Sequence, residues 1–160
     1  MVEKSNTPKE IKDHWQTPIN VFNALNREFE FTVDVCASSK NALCQKYYDE
    51  AQDALSIDWG KTNWCNPPYS NISPWVDKAI NENSNGKSVV MLLPSDTSAK
   101  WFYKAYRTCN EVRFINGRLS FVNALSGSKV NGNTKGSVLF IWRAHCNSHC
   151  VSIIRRDDLN

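Results

Sequence analysis

A chain of 160 residues with 41% apolar side chains and six tryptophans suits one domain built on one core, and no apolar run reaches the roughly 20 residues needed to cross a bilayer. The formal net charge of +3 permits a phosphate-backbone partner without requiring one. The polar start has no apolar signal-peptide core, which points to the cytoplasm and to free thiols rather than disulfides for the six cysteines.

Residues 1–13 read as a flexible polar leader and residues 14–160 as a single domain without internal repeat or linker. Pro18 opens a helix with Val21, Phe22, Leu25 and Phe29 at helical spacing. Residues 31–36 read as a strand carrying Asp34 near its end, followed by small side chains. Residues 47–48 and 55–57 are candidates for two further short strands. Residues 62–65 lead into the turn Asn66-Pro67-Pro68-Tyr69. Ser73-Pro74 starts a helix with proline at its first position and Trp75, Ala79 and Ile80 facing inward. Residues 88–93 form a continuous apolar run of the kind buried on both faces of a sheet, and Pro94 ends it. A helix follows through Trp101, Phe102, Ala105 and Tyr106. Residues 111–115, 138–142 and 151–154 read as strands, and residues 123–136, rich in Gly, Ser, Asn and Lys, as a long exposed loop. Strands alternating with helices imply an α/β fold with a largely parallel sheet. Ligands bind such sheets beyond the carboxyl ends of the strands, where Asp34, Asn66 and Ser95-Asp96 fall.

The turn Asn66-Pro67-Pro68-Tyr69 carries the most specific chemistry. An exocyclic amine on a base is a poor nucleophile, because its lone pair is delocalised into the ring. A site that activates it must accept a hydrogen bond from each amine hydrogen. The Asn66 side-chain oxygen and the Pro67 carbonyl are two such acceptors, two prolines stiffen the turn, and Tyr69 offers a ring on which a base stacks, worth roughly 1–3 kcal/mol per base. The bland alternative is a Pro-Pro turn capped by asparagine. Ser95-Asp96-Thr97 fits a helix cap better than a catalytic set.

Arg118, Lys129 and Lys135 lie in the more basic second half. Arg118 follows a glycine after a strand and suits either a phosphate or a carboxylate. Lys129 and Lys135 lie within 123–136, which reads either as a DNA-contact loop or as an idle surface loop. His145-Cys146 and His149-Cys150 contain zinc-ligand types, but adjacent residues after a strand point to opposite faces, and the proposed chemistry needs no metal.

Beyond the turn, most of the chain resembles the phage-type DNA N-6-adenine-methyltransferase (Dam) family. The segments that carry this are Asp13-His14-Trp15-Gln16-Thr17-Pro18, residues 28–38 with Asp34-Val35-Cys36-Ala37-Ser38, Asp53-Ala54-Leu55, Trp64-Cys65-Asn66-Pro67-Pro68-Tyr69-Ser70, residues 75–79, Leu92-Leu93-Pro94, Lys100-Trp101-Phe102 and Gly117-Arg118-Leu119-Ser120-Phe121. They run in order over roughly residues 13 to 142. The resemblance implies a compact Rossmann-like S-adenosylmethionine-dependent methyltransferase fold. It implies direct in-line methyl transfer to N6 of adenine in double-stranded DNA, in a bacterial host cell. It further implies that Trp15, Thr17 and Pro18 close over the methionine end of the cofactor. Asp34, Cys36 and Ala37 then belong to the first cofactor loop, Asp53 faces the cofactor's adenine, Asp49 is a candidate ribose contact, and Asn66 to Tyr69 hold the target base. The chain departs from the wider methyltransferase pattern in carrying Cys36-Ala37-Ser38 where Gly-x-Gly is usual, and in a short spacing from Asp34 to Asn66. Trp15 also suits core packing and Asp53 a turn cap. Two rival functions are methylation of another planar amine or amide (cytosine N4, an RNA base, glutamine) and a catalytically silent DNA-binding module.

Overall fold

The computed structural model describes residue 13 and residues 15–123, 126–130 and 134–160. The expected leader over 1–13 therefore lies outside the described residues except for Asp13, as do His14 and residues 124–125 and 131–133 of the expected loop.

Strand β1 (Trp15–Gln16) precedes helix α1 (Ile19–Phe29), which forms where apolar side chains recur at helical spacing and buries Val21, Phe22 and Leu25. Glu30 ends the helix in the left-handed region, φ 51°, its N–H returning to the Asn26 carbonyl. Strand β2 (Val33–Asp34), strand β3 (Thr62–Cys65), helix α2 (Ser73–Ser84) and strand β4 (Ser88–Pro94) follow. Helix α3 (Lys100–Thr108), strand β5 (Glu111–Asn116), the short strand β6 (Val122–Asn123), strand β7 (Ser137–Trp142) and strand β8 (Cys150–Arg155) complete the chain.

Six strands form one sheet in the order β2-β3-β4-β7-β5-β8. Every residue of β7 and the five central residues of β4 are buried, as their continuous apolar runs require. Alternation divides those side chains between two cores. Val89, Met91, Leu93, Val138, Phe140 and Trp142 pack with Val76 and Ala79 of α2 and Phe102 and Ala105 of α3. Val90, Leu92, Leu139 and Ile141 pack with Val21, Phe22 and Leu25 of α1. The result is a sheet covered by α1 on one face and by α2 and α3 on the other.

The sheet is mixed, which corrects the expected largely parallel one. β2, β3 and β4 pair parallel, as do β5 and β8, but β7 runs antiparallel between β4 and β5. The reason is the connection. A parallel neighbour needs a crossover, usually helical; between β5 and β7 the chain forms a hairpin at one rim and turns straight back. Val122 bridges Lys129 there, and Asn123 N–H donates to Ser128 O. The expected loop over 123–136 thus begins as this hairpin, and its described residues 126–129 and 134–135 are exposed.

Two further expectations change. Residues 55–57 are turn and bend rather than strand, and Tyr47 contributes a single bridge to Asp34. The ladder at β2 shrinks to Val33 and Asp34, because the chain bends away at Cys36 while the Asp34 side chain accepts the Cys36 N–H. All six cysteines are unpaired. Among the described residues no helix is long and apolar enough to cross a membrane.

Candidate active site at the carboxyl rim

Because β2, β3 and β4 are parallel, their carboxyl ends share one rim, as the order of Asp34, Asn66 and Ser95-Asp96 along the chain leads one to expect. A cleft of about 920 Å³ opens at this rim, within the roughly 300–1,000 Å³ of small-molecule sites. Val35, Cys36, Ala37 and Ser38 form one wall, residues 48–51 with Asp53 and Ala54 another, and Pro68 and Trp75 reach it from the turn after β3 and from α2. Asp13, Lys40 and Asn41 complete the lining. Of the cofactor candidates, Cys36, Ala37 and Asp53 line this cleft; Trp15, Thr17, Pro18 and Asp34 do not.

Asp34 stands behind the wall. It is buried, with Oδ1 accepting from Cys36 N at 3.3 Å and Oδ2 from Leu43 N at 3.1 Å, so one carboxylate closes the loop that follows β2. Desolvation pushes its carboxyl from the ordinary value of 3.8 up to about 6, and the two backbone hydrogen bonds offset only part of this. Burial likewise pushes the Cys36 thiol up to about 12, with the Asp34 charge adding to it; this side chain is a small neutral wall and not a nucleophile.

The opposite wall is built by a capping box. Asp49 accepts from Gln52 N at 3.1 Å, and the Gln52 side chain accepts from Asp49 N at 3.2 Å. Asp53 closes this turn in the left-handed region, φ 47°, and lines the cleft. Asp49 and Asp53 thus shape the turn and line the cleft at once.

The Asn66-Pro67-Pro68-Tyr69 turn, the candidate catalytic segment, sits beside the cleft. Asn66 Nδ2 donates to Trp15 O at 3.2 Å and to Thr17 Oγ1 at 3.1 Å. Both amide hydrogens are therefore engaged. Among the described residues nothing donates to Asn66 Oδ1 or to the Pro67 carbonyl. Tyr69 is half-buried, its hydroxyl donating to Leu92 O at 3.2 Å. Its ring meets Trp15 edge-on (centroids 6.3 Å apart, 76°) and Phe121 likewise (6.3 Å, 84°), while Trp15 and Phe121 stack at 5.6 Å and 24°. Desolvation pushes the Tyr69 phenol upward, so it stays neutral. The Trp15 indole N–H is buried without a hydrogen-bond partner among the described residues.

Sequence reasoning missed Asp13 and Trp75 as site residues, and Asp13 shows why. Its carboxylate accepts from Ser70 N at 3.2 Å and from Ser70 Oγ at 2.8 Å, a contact across 57 positions with no local signature. The Asp49–Gln52 box did have a signal, an acidic cap followed three residues later by glutamine.

Of the DNA-contact candidates, Arg118 and Lys129 are exposed, and Lys135 is exposed but pairs with Asp96. Asp96 also accepts from Ser98 N and Oγ in the turn before α3, but the helix starts from Ala99 with no side-chain cap, so the cap expected of Ser95-Asp96-Thr97 does not form. His149 Nδ1 lies 2.9 Å from Cys109 O, and Cys146 Sγ lies 3.0 Å from Ser148 Oγ. Among the described residues no three His, Cys, Asp or Glu side chains gather as a metal site.

Together these features define an α/β enzyme domain with a small-molecule cleft beside a turn that presents two hydrogen-bond acceptors. The chain belongs to the DNA N-6-adenine-methyltransferase (Dam) family, whose model matches residues 4–160. It is 39% identical over 147 residues to the DNA N-6-adenine-methyltransferase of Haemophilus phage HP1 (strain HP1c1), covering 89% of this chain and 85% of that protein. It is 36% identical over 157 residues to the DNA N-6-adenine-methyltransferase of Escherichia phage T1, covering 87% of this chain and 66% of that protein.

Proposed function

We propose that the chain transfers a methyl group from S-adenosylmethionine to N6 of adenine in double-stranded DNA, acting in the cytoplasm of a bacterial host. The observation that carries this reading is the state of the Asn66-Pro67 acceptors. The Asn66 oxygen and the Pro67 carbonyl accept nothing from the described chain, while the Asn66 nitrogen is fully engaged. A group with two N–H donors on one nitrogen matches that pair. Family membership supports adenine as the base that bears it.

The residues present suit the cofactor. The cleft is large enough, and Asp13, Asp49, Glu50 and Asp53 against one lysine, Lys40, make its lining predominantly acidic, which favours a cationic sulfonium and amine. Cys36, Ala37 and Ser38 are small enough for close approach. Bound S-adenosylmethionine supplies an activated methyl group on sulfur. The chain's own part is positioning. Asn66 Oδ1 and Pro67 O each take one hydrogen bond from the target amine and hold its lone pair toward the donor. Tyr69 supports the base, its ring fixed edge-on by Trp15 and Phe121 and its hydroxyl by Leu92 O. In duplex DNA the base leaves the stack at a cost of about a few kcal/mol, and Arg118 and Lys129 contact phosphates nearby.

Asn66→Ala tests the turn. It should lower the single-turnover methylation rate by about 10² or more, and calorimetry should find cofactor affinity unchanged. A variant that still methylates at the wild-type rate removes Asn66 from the chemistry.

A further inference from the structure

An asparagine amide has two ends of similar shape and opposite hydrogen-bonding character. For Asn66 to serve as an acceptor, something must keep its oxygen outward. The segment 15–17 does this: the Trp15 carbonyl and the Thr17 hydroxyl oxygen take the two amide hydrogens at 3.2 and 3.1 Å. Turning the amide over would set Oδ1 against the Trp15 carbonyl oxygen, acceptor against acceptor. The segment is itself held. Trp15 and Gln16 pair with Asn123 and Val122 in the antiparallel β1–β6 ladder, Trp15 stacks on Phe121, and Asp13 binds Ser70 on the far side of the turn. Thr17 is 3% exposed and does not line the cleft.

We propose that Thr17 is a positioning residue for methyl transfer. The Trp15 carbonyl, an acceptor only, selects which end of the Asn66 amide turns inward, and the Thr17 hydroxyl takes the second amide hydrogen and anchors that end, so this segment acts on the methyl-accepting side of the reaction rather than as a cofactor ligand. The proposal rests on the reading that Asn66 Oδ1 accepts from the target amine. Thr17→Val keeps the side-chain shape but removes the hydroxyl. One Asn66 N–H then loses its partner, and the amide is held by the Trp15 carbonyl alone. Thr17→Ser retains the acceptor.

The test is single-turnover methylation of unmethylated adenine-containing duplex DNA at saturating S-adenosylmethionine, with calorimetric titration of the cofactor and a thermal melt for each variant. Thr17→Val should slow transfer about tenfold while its cofactor Kd stays within about twofold of wild type, and Thr17→Ser should recover the rate to within about threefold. Three results would overturn the proposal: a wild-type rate in Thr17→Val, a defect that is mainly lost cofactor affinity, or a Thr17→Ser no better than Thr17→Val. If Thr17→Val does not fold, Thr17→Ala against Thr17→Ser makes the same comparison. Asn66→Ala run in parallel separates the two levels. If it methylates normally, the reading of Asn66 is wrong; if it is inactive while Thr17→Val is normal, only the role of Thr17 is wrong.

Discussion

Asp34 shows how one side chain serves fold and site together. Its two oxygens hold Cys36 N and Leu43 N, and with them the wall of the cleft. Burial raises its carboxyl to about 6, against an ordinary 3.8. Between those values the folded chain keeps a proton that the unfolded chain has released. The native state therefore binds more protons there, and the stability associated with this group falls as pH rises from 3.8 to about 6, by up to ~3 kcal/mol. Asp34→Asn removes that titration while keeping one acceptor oxygen. Thermal melts between pH 4 and pH 7, windowed on these values, should show a flatter pH dependence for the variant than for wild type. Parallel curves would mean that Asp34 is not the group titrating.

At the scale of elements, close approach decides where the chain turns into β3. A Cβ at Gly60 would lie 2.6 Å from Val33 Cγ2 and 2.9 Å from Thr32 Oγ1, so the loop passes β2 only without a side chain. The buried Asn63 fixes this approach, bonding both the N–H and the carbonyl of Gly60 at 2.8 Å. Gly60→Ala should cost about 1–3 kcal/mol, read as a lower urea midpoint with unchanged slope; an unchanged midpoint would contradict the packing seen here. The helices and β4 were legible because apolar spacing and unbroken apolar runs report burial directly. The direction of β7 was not, since an apolar run reads the same both ways and the hairpin before it lies among Gly, Ser and Asn. The turn Asn66-Pro67-Pro68-Tyr69 stands out in the sequence as four adjacent residues. Its coupling to Thr17 joins positions 49 apart and needed the fold.

For the whole molecule, sheet direction gathers the functional parts on one rim. β5 leaves the sheet at that rim and β7 re-enters there, with Ser137 beside Pro94 and Ile115, so the segment carrying Arg118, Lys129 and Lys135 emerges at the same rim as Asn66. The basic second half is less open than its composition indicates. Arg113 and Arg143 share Glu28 and Glu111, Arg155 pairs with Asp158, Arg156 with Asp157 and Lys135 with Asp96. Arg118 and Lys129 are the exposed cations that best suit a phosphate contact, and the hairpin before β7 carries Lys129.

The central claim is that the acceptor pair at Asn66 and Pro67 activates the exocyclic amine of adenine. The most direct measurement is to incubate the chain with methyl-labelled S-adenosylmethionine and unmethylated duplex DNA, digest the DNA to nucleosides and identify the labelled one. Label should appear in N6-methyladenine, at a rate about 10²-fold or more lower when Asn66 is replaced by alanine. Label in N4-methylcytosine, or no transfer to DNA by a folded protein that binds the cofactor, would contradict that claim.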